Sequence, residues 1–245
     1  MPRFYVNLQL DNSKTIELPT NVVQHLHALR LVAGMDIELF NGNGYSYLAN
    51  LIEINKKYAN VAIINKCESN NNILDIRLAI STIANDKMDF VMQKATELGV
   101  KQITPIISKR TQQVSSERMG KKLIHWHNII ISSCEQCGLN NIPKLNQVET
   151  FTNFIQANGS NEESMNIILS PYRKNEDNFN HSKLMAKYIT LIVGPEGGFT
   201  DDEIEFATNN NFKTVRLGNL TMRAETAAIA GIITIQTKFG NWVNA

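Results

Sequence analysis

From residue 76 onward, short apolar and β-branched runs alternate with longer stretches whose apolar residues recur every three or four positions. This alternation constrains the fold more than any other feature of the chain. The strand-like runs are Ile76–Ile83, Gln102–Ile107, Asn166–Leu169, Tyr188–Val193 and Thr214–Leu217. Between them, Met88, Val91, Met92, Ala95 and Leu98 follow helical spacing and stop at Gly99; a long helix is predicted over 116–136, ended by Gly138. Further helices are predicted over Asp201–Asn209 and Ala224–Lys238. Strands alternating with helices imply a parallel sheet covered on both faces, and ligands of such sheets sit beyond the carboxyl ends of the strands.

The first seventy residues have a different pattern. FYVNLQL, TIEL, DIELF, YSYLANLIEI and YANVAII are short β-prone runs, and Asn41-Gly42-Asn43-Gly44 is a hairpin signal because Asn and Gly tolerate positive φ. With one helix over Asn21–Leu31, this segment reads as a small β-barrel carrying a helix. The polar tract Ser69-Asn70-Asn71-Asn72 reads as a linker, which gives an N-terminal domain over 1–72 and an α/β domain over 73–245.

Composition excludes some classes. No apolar run reaches the roughly eighteen residues that span a bilayer, and the N-terminus lacks the apolar core of a signal peptide, so a cytoplasmic protein is expected. A net charge of +1 argues against a simple electrostatic nucleic-acid binder. Between Lys101 and Lys122, however, six basic residues face one acid, Glu117, either as a solvated face or as a phosphate-facing patch. Cys134 and Cys137 form a C-x-x-C pair without the further ligands that zinc needs, so no metal is expected. Their spacing from Leu123, Trp126 and Ile130 predicts that both are buried on a helix stripe as inert thiols.

Three predicted strand ends carry the unusual residues: Leu169-Ser170-Pro171, Gly194–Gly198, and the run from Leu217 to Arg223. The loop Gly194-Pro195-Glu196-Gly197-Gly198 lacks the Gly-Lys-Ser/Thr of a P-loop and the spacing of a dinucleotide fingerprint. It is either a tight structural turn or a backbone surface approached by a flat or bulky neutral ligand. Thr200 and Glu203 form a capping box that starts the next helix sharply. Arg223 and Glu225 precede an Ala- and Ile-rich helix, where they are either ordinary surface and first-turn charges or substrate-facing groups.

KMDFVMQKATELGVKQITPIIS, SSCEQCGLNNIP, LIVGPEGGFTDDEI and LGNLTMRAETAAIAG, together with RFYV and HLHALRLVAGMDIELFNGNG near the N-terminus, resemble the successive signature segments of the RsmE family. Its members are 16S ribosomal RNA uridine-N3 methyltransferases of the SPOUT class. The resemblance runs in order through nearly the whole chain. It implies a PUA-like β-barrel followed by an α/β SPOUT domain with a deep C-terminal trefoil knot, a topology that periodicity alone cannot supply. It also implies a homodimer acting on 16S rRNA within the small ribosomal subunit, with S-adenosylmethionine as cofactor. The cofactor would be held by Leu169, Ser170, Gly194, Glu196, Gly197, Gly198, Leu217, Gly218, Leu220 and Met222. The chain departs from the family pattern at Leu139 and Leu220, where arginines are usual, and at Lys87, where arginine is usual.

For the implied reaction, Arg223 is the candidate to stabilise charge on the uracil oxygens. Glu196 and Glu225 are candidates to orient that arginine or accept the N3 proton. Arg3, Arg30, Lys87, Lys109 and Arg110 are the RNA-contact candidates. A methyltransferase of the same fold acting on a ribose 2′-oxygen, or a non-catalytic RNA-binding homologue, are the alternatives.

Overall fold

The computed structural model describes residues 1–11, 14–68, 74–112, 115–171, 186–240 and 242. The tract Ser69–Asn72, expected as a linker, lies outside the described residues. The chain divides into two compact units: Met1–Asn72 together with Ile131–Ile142, and Ile73–Ile130 together with Pro143–Ala245.

The first unit is a five-stranded sheet in the order β1-β3-β4-β5-β2 with one helix. Its elements are β1 (Arg3–Tyr5), β2 (Thr15–Glu17), α1 (Thr20–Ala28), β3 (Asp36–Phe40), β4 (Tyr45–Ile54) and β5 (Ala59–Glu68). All neighbours are antiparallel except β1 on β3. Among the described residues no ladder links the edge strands β1 and β2. The Asn41–Gly44 turn joins β3 to β4 with Gly42 at φ 86° and Gly44 at φ 90°, conformations that a β-carbon would strain. The run predicted as a strand over FYVNLQL pairs only to Tyr5, because its partner β3 ends at Phe40, where the turn begins. Val22, Val23 and Leu26 of α1 pack on Ile37, Leu39 and Leu51 of the sheet to form the core.

Arg3, expected as an RNA contact, has a structural role in this unit. Its side chain is 8% exposed, and its guanidinium donates to Glu38 Oε1 at 2.6 Å, the Leu139 carbonyl at 2.9 Å and Asn140 Oδ1 at 2.5 Å. The same group stacks on the Phe40 ring at 4.2 Å. Glu135 accepts the Tyr5 N–H at 2.9 Å, so three hydrogen bonds tie 131–142 to β1. The Arg3 Nε is buried without a hydrogen-bond partner among the described residues. Arg3→Ala is expected to cost about 2 kcal/mol of stability, since the acceptors it leaves behind are desolvated. Thermal or denaturant unfolding measures this, and an unchanged midpoint would show that the cluster contributes nothing.

The second unit is a parallel sheet in the order β12-β10-β11-β6-β7-β8, with β9 also on β7. The strands are β6 (Asp75–Ser81), β7 (Gln102–Ile107), β8 (Lys144–Leu145), β9 (Glu149–Thr150), β10 (Ser164–Leu169), β11 (Tyr188–Val193) and β12 (Lys213–Val215). Every pair is parallel, as the alternating pattern predicts. All six residues of the central strand β11 are buried, the expected signature of a strand covered on both faces. β12 stops at Val215, two residues before the predicted end, because its partner β10 stops opposite at Leu169.

The helices are α2 (Asn85–Glu97), α3 (Ser116–Cys137), α4 (Phe151–Gly159), α5 (Asp201–Asn209) and α6 (Ala224–Phe239); residues 131–137 of α3 count with the first unit. Helix α4 escaped the sequence reading. Its start is marked by Thr150, which accepts the Asn153 N–H, and its apolar residues Phe151, Phe154 and Ile155 join Ile168, Ile192 and Phe212 in one core. The capping box at Thr200 and Glu203 is present as predicted.

Cys134 is fully buried, but Cys137 is exposed, which corrects the expectation that both thiols are buried. Three residues advance a helix by about 300°, and Cys137 is the last helical residue, so it falls off the stripe. Burial pushes the Cys134 thiol up to about 12. The unfolded thiol ionises near 9 while the folded one stays protonated, so stability is present below pH 9 and falls as pH rises toward 12. Cys134→Ala is expected to remove roughly 1.4 kcal/mol per pH unit of that slope at most. Denaturant unfolding across the window is the measurement, with equal slopes in both proteins as the contrary result. No helix among the described residues is long and apolar enough to cross a membrane.

Candidate functional site

Because β10, β11 and β12 are parallel neighbours, the chain leaves all three at the same edge of the sheet. A cleft lies among the three exits.

Each exit supplies one wall. After β10 come Leu169, Ser170 and Pro171; after β11 come Gly194, Pro195, Glu196 and Gly198, backed by Phe199; after β12 come Leu217, Leu220, Thr221 and Met222. Val193, Val215 and the first turns of α6, through Ala224 and Ala227, close the base. Eight of the expected cofactor residues, Leu169, Ser170, Gly194, Glu196, Gly198, Leu217, Leu220 and Met222, line this cleft. Gly197 and Gly218 flank lining residues without forming wall themselves. The sequence reading missed Phe199; its low polarity was visible, but not its closeness to the loops.

The small residues of the cleft have steric causes. A β-carbon on Gly194 would lie 3.1 Å from the Phe199 ring, which is folded under the loop. On Gly231 in α6 it would lie 2.9 Å from Leu191 Cδ2 and 3.2 Å from Leu169 Cδ1, so glycine lets α6 seat against β10 and β11. The loop itself turns through a Gly198 N–H to Pro195 carbonyl bond of 2.8 Å, with Gly198 at φ 68°.

The charged candidates divide into engaged and open groups. Glu196 is in the wall but accepts from Lys87 Nζ at 3.5 Å and from the Ala84 N–H at 3.4 Å. Lys87, expected as an RNA contact, thus stands beside the cleft loop. Lys109 Nζ pairs with Asp202 at 2.7 Å, which raises the lysine and lowers the aspartate. Arg110 donates to the Gly197 carbonyl at 2.6 Å.

Arg223 is exposed between the wall residues Met222 and Ala224, and its side chain has no hydrogen bond or ion pair among the described residues. Glu225, one residue past Ala224, has Oε2 buried without a partner among the described residues. Arg30, in the first unit, is exposed at a φ of 57°. A mostly apolar cleft with backbone polar groups and one wall carboxylate, Glu196, beside an open arginine, is suited to a nucleoside-like ligand.

Residues 69–236 match the family model of an RNA methyltransferase domain, and residues 18–64 match that of an RNA methyltransferase PUA domain. The chain is 35% identical over 246 residues to ribosomal RNA small subunit methyltransferase E of Buchnera aphidicola subsp. Schizaphis graminum, covering 98% of each. It is 31% identical over 243 residues to the Rickettsia conorii protein of the same name, covering 96% of this chain and 94% of that one. The crystal structure of the Neisseria gonorrhoeae ribosomal RNA small subunit methyltransferase E, bound to S-adenosyl methionine, superposes with a TM-score of 0.92 at 35% identity over 99% of both chains. Likeness of this extent, through both units and around the cleft, means that the chain belongs to the ribosomal RNA small subunit methyltransferase E family.

Proposed function

We propose that this protein transfers the methyl group of S-adenosylmethionine to N3 of a uridine near the 3′ end of 16S rRNA in the small ribosomal subunit. The observation that carries the reading is the cleft at the β10–β11–β12 edge, in a chain 35% identical to a family member solved with S-adenosyl methionine. The residues fit that group. Apolar walls from Leu169, Leu217 and Met222 suit a purine face, and the Gly194–Gly198 backbone can reach its polar edge without side chains intervening. When bound, the sulfonium supplies an electrophilic methyl carbon.

The protein's own residues do the remaining work. The N3 proton must leave before nitrogen can attack, and negative charge then spreads to O2 and O4. Arg223, open at the rim, stabilises that charge by charge-assisted hydrogen bonds. Glu225 is assigned the proton: one residue past the wall residue Ala224, its Oε2 is buried with an unfilled accepting position among the described residues. Glu196 is held by Lys87 and serves to fix the loop. Alignment of the reacting atoms is the largest part of the task.

A paired uracil hides N3, so the target is read single-stranded or flipped out. Arg30, exposed, and Lys109, exposed and paired at the surface with Asp202, are the proposed backbone contacts. The strand order supports a knotted path: the chain leaves central β11, crosses β10 to reach β12, and returns through α6 against Leu169 and Leu191. A homodimer in the cytoplasm, where ribosomal subunits reside, completes the reading. The test is methyl transfer from labelled S-adenosylmethionine to small subunits lacking base methylation, followed by nucleoside analysis. Labelled 3-methyluridine is the expected product; 2′-O-methylated nucleoside, or none, would refute the assignment.

A further inference from the structure

We infer that Arg110 is a positioning residue that pre-forms the Gly194–Gly198 wall of the cleft, rather than a contact to RNA phosphate; the inference rests on the methyl-transfer reading above. Arg110 follows β7 on a loop that is itself fixed. The Ser108 N–H donates to Thr111 Oγ1 at 3.0 Å, and the Thr111 N–H returns to the Ser108 carbonyl at 3.0 Å. The Ser108 hydroxyl meets Thr111 Oγ1 at 2.8 Å and Ser81 Oγ at 3.1 Å, all three residues being buried.

From this base the guanidinium reaches the outside of the glycine loop. Nη1 donates to the Gly197 carbonyl at 2.6 Å, and a β-carbon on Gly197 would meet Arg110 Cδ at 3.3 Å and Cβ at 3.6 Å. The arginine stem therefore lies flat on the one loop residue that faces away from the cleft, while its neighbours Glu196 and Gly198 form wall.

A second link closes the arrangement. Glu203, 5% exposed, accepts the Lys109 N–H through Oε1 at 2.7 Å and the Thr200 N–H through Oε2 at 2.8 Å. One buried carboxylate thus joins the base of the Arg110 loop to the far end of the glycine loop. A loop held at both points needs no ordering when a ligand arrives; a loop released from Arg110 must be ordered at the ligand's expense. That cost falls on binding and not on the reacting atoms, which separates Arg110 from a catalytic residue.

The experiment is calorimetric titration of the full chain with S-adenosylmethionine, paired with filter binding of small-subunit RNA. Arg110→Met keeps the stem and removes the donor; its Kd for S-adenosylmethionine is expected to rise about tenfold, as loss of one charge-assisted bond predicts. KM for S-adenosylmethionine should rise with it while kcat at saturation holds, the pattern of lost ground-state binding. Arg110→Lys, which restores a donor, should recover most of the affinity. Gly197→Ala approaches the same contact from the other side and should weaken binding in the same direction.

Failure of the wild type to bind S-adenosylmethionine would sink the methyl-transfer reading and this inference together. A wild type that binds, with an Arg110→Met variant that binds equally well, overturns the inference alone. If that variant instead loses RNA affinity with a shallower salt dependence, Arg110 is a phosphate contact.

Discussion

Arg223→Ala is expected to lower kcat for methyl transfer by about a hundredfold or more, the range seen when a donor to developing negative charge is removed. The side chain is exposed, caps no helix end and pairs with nothing among the described residues, so the fold does not depend on it. S-adenosylmethionine affinity should stay near the wild-type value, because Met222 and Ala224 on either side form the wall and Arg223 does not. Arg223→Lys should restore only part of the rate, since an ammonium lacks the planar fork that can serve an imide anion. Turnover with labelled S-adenosylmethionine, alongside calorimetry, makes the comparison. Intact transfer in the alanine variant would remove Arg223 from the mechanism.

Gly159→Ala carries the largest expected effect on stability, although the glycine is remote from the cleft loops in sequence. It ends α4, and a β-carbon there would sit 2.3 Å from the Asn210 carbonyl oxygen and 3.0 Å from Asn210 Cβ. The first of these is a backbone atom and cannot rotate away. Asn211, at a φ of 64°, donates from Nδ2 to the Gly159 carbonyl at 2.9 Å, so the turn into β12 is fastened at the same point. The substitution must push the α5–β12 turn off α4 and is expected to cost about 3 kcal/mol. Because β12 leads into the 217–222 wall, S-adenosylmethionine affinity should fall as well. Denaturant unfolding measures the first effect, and a midpoint within error of the wild type would show that the turn yields freely.

The sequence determined the parts of this protein that depend on local patterns. Period-3.6 apolar spacing, with glycines at 99 and 138 and the Thr200–Glu203 box, fixes where the long helices begin and end. Unbroken apolar runs mark buried parallel strands such as β11, and the family resemblance marked half of the residues that line the cleft. Tertiary structure decided what depends on partners far along the chain. Arg3 reads as a free N-terminal cation until Glu38, Leu139 and Asn140 converge on it. Arg110 reads as one of a basic patch and Lys87 as an RNA contact until the parallel sheet brings the loop after β7 and the first turn of α2 beside the glycine turn. Cys134 and Cys137 share a motif, yet one is buried and the other exposed because a helix face turns away between them. Charge and polarity are properties of a residue; whether they are spent inside the protein or kept for a ligand is settled by long-range packing, which no local window of sequence contains.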